Sequence, residues 1–243
     1  MGIALIFKSF FLALSQLGDP RFRRALGLGI ILTFALLIAS YAGLLWVLDL
    51  LVGEDAYVPV IGQVTWLDDL LSFSSFIFMF ILSIFLMVPV ASAITSMFLD
   101  DVAQAVEDRH YPNLPAVDPV PFSDALRDTL YFLGVLIIAN LLAFILYAFF
   151  SALSVFIFWG LNGFLLGREY FQLAAMRRLG RQGAAALRKK NKGTIWLAGI
   201  LMAVPLSIPL VNLLIPIVGA ATFTHLFHQI QAADDPSSQS RVQ

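Results

Sequence analysis

Seven residues, Gly18-Asp19-Pro20-Arg21-Phe22-Arg23-Arg24, stand directly before the apolar run ALGLGIILTFALLIASYAGLLWVL. Aspartate at an N-cap accepts from the orphan N–H groups of a first turn and proline fits the first helical position, so Asp19-Pro20 predicts a helix start. The turn that follows holds three arginines. That is the wrong sign for a dipole end already equivalent to about half a positive charge. Guanidinium groups beside helix N–H donors form an oxyanion site, because arginine stays charged and offers paired donors that match a tetrahedral ion. Arg21 and Arg24 are three apart and share a face, while Arg23 points to one side. Two blander readings stay open: arginines flanking a span are a common topology signal that binds phospholipid headgroups unspecifically, and Asp19 could pair with Arg23.

Other residues able to do chemistry are fewer. His225 and His228 are three apart and could share a metal or a proton, but no third ligand is in sight, so a structural role is expected. Asp100 with Asp101, and Glu107 with Asp108, read as the solvated face of an amphipathic helix rather than as paired acid and base. Arg168-Glu169 is either an internal ion pair near a pore mouth or a membrane exit. Asn140 and Asn212 lie in apolar segments, where an amide normally bonds across helices. Asn212 also sits between Pro209 and Pro216, where backbone is least regular, so these three are candidate pore-lining residues. The basic run from Arg177 to Lys192 has no interleaved aromatics, so nucleic-acid binding is unsupported and contact with an anionic membrane surface is expected. The chain has no cysteine, and no nucleotide, zinc-protease or nucleophile-elbow motif, so no cofactor and no enzymatic chemistry are expected.

The elements that position these residues belong in a bilayer. Of 243 residues, 60% are hydrophobic and 13% charged, against about 25% charged in an ordinary soluble domain. Residues 3 to 17 place Ile3, Phe7, Phe10, Phe11 and Leu14 at helical spacing, too short and too polar to span, and predict a retained interfacial helix. Ala25 to Leu48 is a first span of 24 uncharged residues. An acidic loop over 49 to 69 leads to a second span, Leu70 to Leu99, kinked at Pro89. A polar stretch from Asp100 to Asp128 begins as an amphipathic helix and becomes a proline-rich loop. Thr129 to Leu166 is apolar for 38 residues, interrupted by Asn140, a few serines and the turn signal Gly160-Leu161-Asn162-Gly163; a single long tilted helix over 129–159 is the alternative to a hairpin there. The loop over 168 to 193 has eight Lys or Arg against Glu169, and 194 to 230 is apolar again with Pro205, Pro209 and Pro216.

Basic residues before the first span and over 168 to 193, with none over 49 to 69, place the N-terminus, the basic loop and the C-terminus in the cytoplasm. If 128 and 168 lie on one side, each arm of 129–166 has at most about 18 residues, the short limit for a span. The expected fold is therefore an all-α integral membrane protein with two long transmembrane helices, two short, partly penetrating helical hairpins and interfacial amphipathic helices. It forms one membrane domain over 1–231 with a disordered tail over 232–243.

Three blocks, Phe171-Gln172-Leu173-Ala174-Ala175-Met176-Arg177-Arg178, Ala186-Leu187-Arg188-Lys189-Lys190 and Ile208 to Thr222 (IPLVNLLIPIVGAAT), resemble the CysZ-type sulfate permeases and the wider etoposide-induced membrane protein family. The resemblance implies an oligomeric inner-membrane permease or channel that admits sulfate, or a similar oxyanion, for cysteine synthesis. It also implies that Gly18, Arg23 and Arg24 stand where the family holds sulfate, in a Gly-x-Arg-Arg-Phe-like motif. This chain inserts Asp-Pro-Arg-Phe between the glycine and the arginine pair, and Ala25 replaces the aromatic. A membrane scaffold sharing the fold but transporting nothing is the competing class.

Overall fold

A computed structural model describes residues 2–52, 57–58, 62–63, 100–117, 122–212 and 214–234. The expected span Leu70 to Leu99 with Pro89, most of the acidic loop and the tail from 235 lie outside the described residues. The described part is all-α apart from a two-residue antiparallel pairing of Tyr57–Val58 with Gly62–Gln63. It divides into two compact units, residues 1–26 with 98–243, and residues 27–97.

Helix α1 (Gly2–Ser15) turns at 16–19 into α2 (Pro20–Val52), one continuous helix of 33 residues over the expected first span. The axes of Gly2–Ser15 and Pro20–Ile31 differ by 84°. In the first unit, α1 packs on α6 and α8, and the side it buries holds Ile6, Ser9 and Ala13. Of the apolar residues that marked the helix in sequence, Ile3, Phe7 and Phe11 point outward, while Phe10 and Leu14 are half-buried against the core. The order is inside out for water and right for lipid, where small residues let helices approach and large ones face acyl chains.

Residues 100–110 are helical and are labelled α3; the irregular 111–117 follows, and further on α4 (Phe122–Phe149). Within α4, Leu130–Phe149 has 20 residues with a mean hydropathy of 2.5, yet only 11% of its most apolar stretch is buried inside the protein. At 1.5 Å per residue it is about 30 Å long, the thickness of the hydrocarbon layer. Phe144 and Phe149 are 76% and 78% exposed, which only lipid or another apolar surface can accommodate.

The apolar stretch 129–166 is thus a helical hairpin, but its turn is at Phe150–Leu153 and its first arm is long enough to cross. The estimate of about 18 residues per arm divided the stretch evenly, whereas the turn falls a little past the middle and not at Gly160 and Gly163 of the turn signal. Those glycines lie inside α5 (Ser154–Lys190), where Gly163, with Gly167 a turn on, admits another helix. A Cβ on Gly163 would stand 2.7 Å from the backbone nitrogen of Ile200, and one on Gly167 would stand 2.6 Å from the carbonyl oxygen of Ile195. Facing them is Gly199 of α6 (Lys192–Ala203), so small residues four apart meet another across the contact.

The expected basic loop is helical. Its direction reverses at Gly180, whose φ of 65° suits glycine, so 181–190 and α6 run back along α5. Gln172 clasps the returning strand of helix, donating to the Arg181 carbonyl and accepting from Arg188 Nε.

The expected second hairpin is broken where its prolines fall. Pro205 lies in a 3-10 turn over Val204–Ser207, Pro209 opens the short α7 (Pro209–Asn212), and Pro216 lies in the first turn of α8 (Ile215–Asp234). Lys192–Ser207 is apolar but shorter than a span. Helix α8 is the centre of this unit: nearly every residue from Ile215 to Ile230 is buried, and Phe223 and Phe227 pack on Tyr170 and Phe171 of α5. Among the described residues, Leu130–Phe149 and Ser151–Lys190 are long and apolar enough to cross a membrane, and with the outward apolar faces they make this an integral membrane protein.

The α5–α6 contact yields a test. Gly163→Ala pushes a methyl into backbone and is expected to cost about 1–3 kcal/mol. A Cβ on Gly160 meets nothing nearer than 4.0 Å, so Gly160→Ala should leave the unfolding midpoint nearly unchanged, as read by circular dichroism of detergent-solubilised protein.

Candidate functional site

Helix α2 starts at Pro20, as the Asp19-Pro20 pair predicts. Asp19 Oδ1 accepts from the Arg21 backbone N–H at 2.9 Å, and the Arg23 N–H donates to the Asp19 carbonyl at 3.1 Å. The negative group that answers the dipole end is therefore the protein's own cap. Asp19 Oδ2 also accepts from Gln16 Nε2, which reaches the Ala105 carbonyl at 2.9 Å and so ties the turn to α3.

The three arginines have different fates. Arg21 Nη1 lies 2.7 Å from Asp108 Oδ2, with Asp19 as a longer contact at 4.0 Å. Arg23 and Arg24 are exposed, and among the described residues neither forms an ion pair. Asp19 pairs with neither of them. Gly18, beside them, is exposed and has open space around its Cα. The face expected for Arg21 with Arg24 is thus divided, since Arg21 is committed to α3.

From Asp108 a polar chain runs inward. Gln104 donates to Asp108 at 2.7 Å and accepts from Arg177 Nη2 at 2.8 Å. Arg177 reaches Asp100 at 3.1 Å and Glu107 at 3.4 Å. Arg178 grips Glu107 with two nitrogens, at 3.1 and 2.6 Å, and donates to the Pro115 carbonyl. His228 Nε2 lies 2.9 Å from Glu107 Oε1. A carboxylate can only accept, so this histidine nitrogen carries its proton.

Glu107 is 2% exposed, which corrects the solvated face expected for it; Asp100, Asp101 and Asp108 are exposed, as expected. The correction has a local cause. Asp100, Gln104 and Glu107 recur at four and three residues, so they share a face, and Val102, Ala103, Ala105 and Val106 carry α3 into the core around them. Burial pushes the Glu107 carboxyl up, but the His228 hydrogen bond, the Arg178 hydrogen bonds and both guanidinium charges outweigh it and hold it at about 2. Arg177 and Arg178, assigned to a membrane surface from sequence, are instead turned inward to this carboxylate. The adjacent Arg177 and Arg178 and the spacing of Asp100, Gln104 and Glu107 on α3 were the signal that sequence reasoning passed over.

The histidines are structural parts of the same region. His225 is fully buried, with Nδ1 3.1 Å from the Tyr111 hydroxyl and its ring against His110. Among the described residues no group of His, Asp and Glu could hold a metal ion. Arg168 is buried with its guanidinium over the faces of Tyr131 and Phe132, 5.0 and 5.3 Å from the ring centroids. Asn140 is exposed and donates to Leu136 of its own helix at 2.8 Å rather than across helices. Asn212 closes α7 and is half-buried, between the breaks that Pro209 and Pro216 mark.

Removing the shared carboxylate takes from Arg178 its acidic partner among the described residues and leaves Arg177 with Asp100 and Gln104, so Glu107→Ala is expected to cost about 3 kcal/mol of stability. The pH dependence has a definite sign. The folded value of about 2 lies below the unfolded 4.5, so the unfolded chain binds more protons between them. The contribution, about 3 kcal/mol, is complete above the unfolded value and is lost as pH falls from there toward the folded one. Unfolding in detergent across that range should show the loss in the wild type and a much flatter profile in Glu107→Gln.

The profile of the family described as Sulfate transporter CysZ/Etoposide-induced protein 2.4 matches residues 9–216. No curated protein and no solved structure matches the chain. The match takes in the arginine turn, the whole of α3 and α5 and the prolines that break the last hairpin, so it covers the elements that position every group described above except the histidines of α8. On that extent, with an apolar helical fold to carry it, this integral membrane protein belongs to the sulfate transporter CysZ/etoposide-induced protein 2.4 family.

Proposed function

We propose that this chain admits a small oxyanion, sulfate first, across the cell inner membrane, as a permease or channel supplying sulfate for cysteine synthesis. The observation that carries the reading is the pair Arg23 and Arg24: exposed, outside any ion pair among the described residues, and set in the first turn of a helix whose next 24 residues are uncharged. Asp19 holds the first donors of that turn, so the guanidiniums, with Gly18 leaving room for approach, do the binding. Arg21 positions the turn through Asp108. The broken segment containing Pro209, Asn212 and Pro216 helps to line the path, since backbone freed from helix can turn polar groups toward an ion. The family supports a transporter rather than an enzyme. Positive charge before α2 and over 168–193 supports a cytoplasmic N-terminus, basic segment and C-terminus, and the exposed apolar faces of α2, α4 and α5 leave area for assembly as a homo-oligomer.

Radiolabelled sulfate uptake into proteoliposomes tests this. Wild type should exceed empty vesicles, and Arg23→Ala with Arg24→Ala should lower uptake at least tenfold, as expected when two charge-assisted contacts of about 1 kcal/mol or more are lost, with unfolding unchanged because both side chains are exposed. Wild-type vesicles no better than empty ones would favour the non-transporting scaffold, and uptake indifferent to the double change would remove the arginines from the mechanism.

A further inference from the structure

A second basic site lies away from the arginine turn. Where 181–190 doubles back along α5 and passes into α6, a recess of about 370 Å³ is lined by Phe164, Arg168, Arg188, Lys189, Lys192 and Trp196, together with Ala185 and Ile195. Its lining has four cations and no acid. Lys190, in the same run, is turned away to Asp234 at 2.9 Å, so the cations of this run are divided between an ion pair to α8 and the recess. Lys189 and Lys192 are exposed, and among the described residues neither is in an ion pair.

The other wall is apolar. Phe164 and Trp196 are exposed, and the indole is held in place by its Nε1–H donating to the Gly160 carbonyl at 2.8 Å. Leu197 and Phe156 continue the exposed apolar surface on α6 and α5. A group of cations at the end of an apolar helix pair, with a fixed indole between charge and hydrocarbon, has the composition of a membrane–water boundary. The arrangement matches a molecule with a phosphate at one end and acyl chains at the other; a free oxyanion would use the cations and leave the aromatic wall bare.

We propose that this recess binds the headgroup of an anionic phospholipid, with Lys189 and Lys192 meeting the phosphate, Arg168 and Arg188 supplying the positive field behind them, and the acyl chains lying along Phe164, Trp196 and Leu197. The site is independent of the oxyanion reading for Arg23 and Arg24. Its consequence is mechanical: a lipid seated there bridges α5, the 181–190 return and α6, and so braces the reversal at Gly180.

The full chain, purified in detergent and stripped of lipid, is titrated with phosphatidylglycerol and with phosphatidylcholine, and bound lipid is counted by native mass spectrometry. The wild type should favour phosphatidylglycerol, and Lys189→Gln with Lys192→Gln should weaken that binding roughly 30-fold, given about 1 kcal/mol for each cation near an anionic lipid, while phosphatidylcholine binding is unchanged. Lys189→Arg with Lys192→Arg should retain it. If the neutral double variant does not fold, the single changes, roughly 5-fold each by the same reckoning, are read instead. Equal phosphatidylglycerol affinity in wild type and neutral variants, or no preference over phosphatidylcholine, overturns the proposal. So does displacement of phosphatidylglycerol by inorganic phosphate beyond that caused by chloride at matched ionic strength, which would make the recess a site for a free oxyanion.

Discussion

One buried carboxylate organises the polar interior of this protein. Glu107 accepts from two adjacent arginines of α5 and from a histidine of α8, so a single residue of α3 joins elements far apart in sequence. Buried ion pairs are seldom net stabilising against apolar replacements, because desolvation offsets most of the attraction. What they enforce is geometry. Two guanidiniums and an imidazole satisfied by one carboxylate leave α3 a narrow choice of register against α5 and α8, and Gln104 and Asp108 extend that register to Arg21 and the start of α2. The turn at Gly18–Arg24 is therefore held from inside the fold, while Arg23 and Arg24 remain outside it.

Apolar packing follows lipid rules around this centre. Helix α8 is enclosed, with Phe223 and Phe227 against aromatic rings of α5, and glycines bring α5 and α6 to backbone contact. Phe7 and Phe11 of α1 and Phe144 and Phe149 of α4 lie on the outside. In water that surface would be prohibitive; in a bilayer it has nothing to gain by turning inward, since acyl chains are as apolar as leucine. Close packing of small residues and satisfied polar groups then remain as the forces that bring helices together.

Several features were readable in the linear sequence because their causes are local or additive. Asp19-Pro20 caps and opens α2 through groups within a few residues, and the prolines break the last apolar segment where proline lacks the required N–H. Membrane residence follows from uncharged runs, which need no partner to be recognised. The family resemblance rested on contiguous blocks, which lie within the matched residues except for the end of the third.

Other features depended on what each residue meets. Gly160 to Gly163 has the composition of a turn, and glycine serves both a turn and a tight helix contact; only the presence of Ile200 and Gly199 across the gap decides between them. Glu107 looks like any surface glutamate until Arg178 and His228 are brought to it, and Arg177, Arg178, Lys189 and Lys192 look like one basic run until the reversal at Gly180 sends the first two inward and leaves the others beside Trp196. Composition, caps and breaks are properties of the chain itself, so sequence alone determined that this is a helical membrane protein with arginines at the head of a long helix. Which charges are consumed internally and which are left exposed is a property of contacts between residues distant in the chain, and only the tertiary structure decided it.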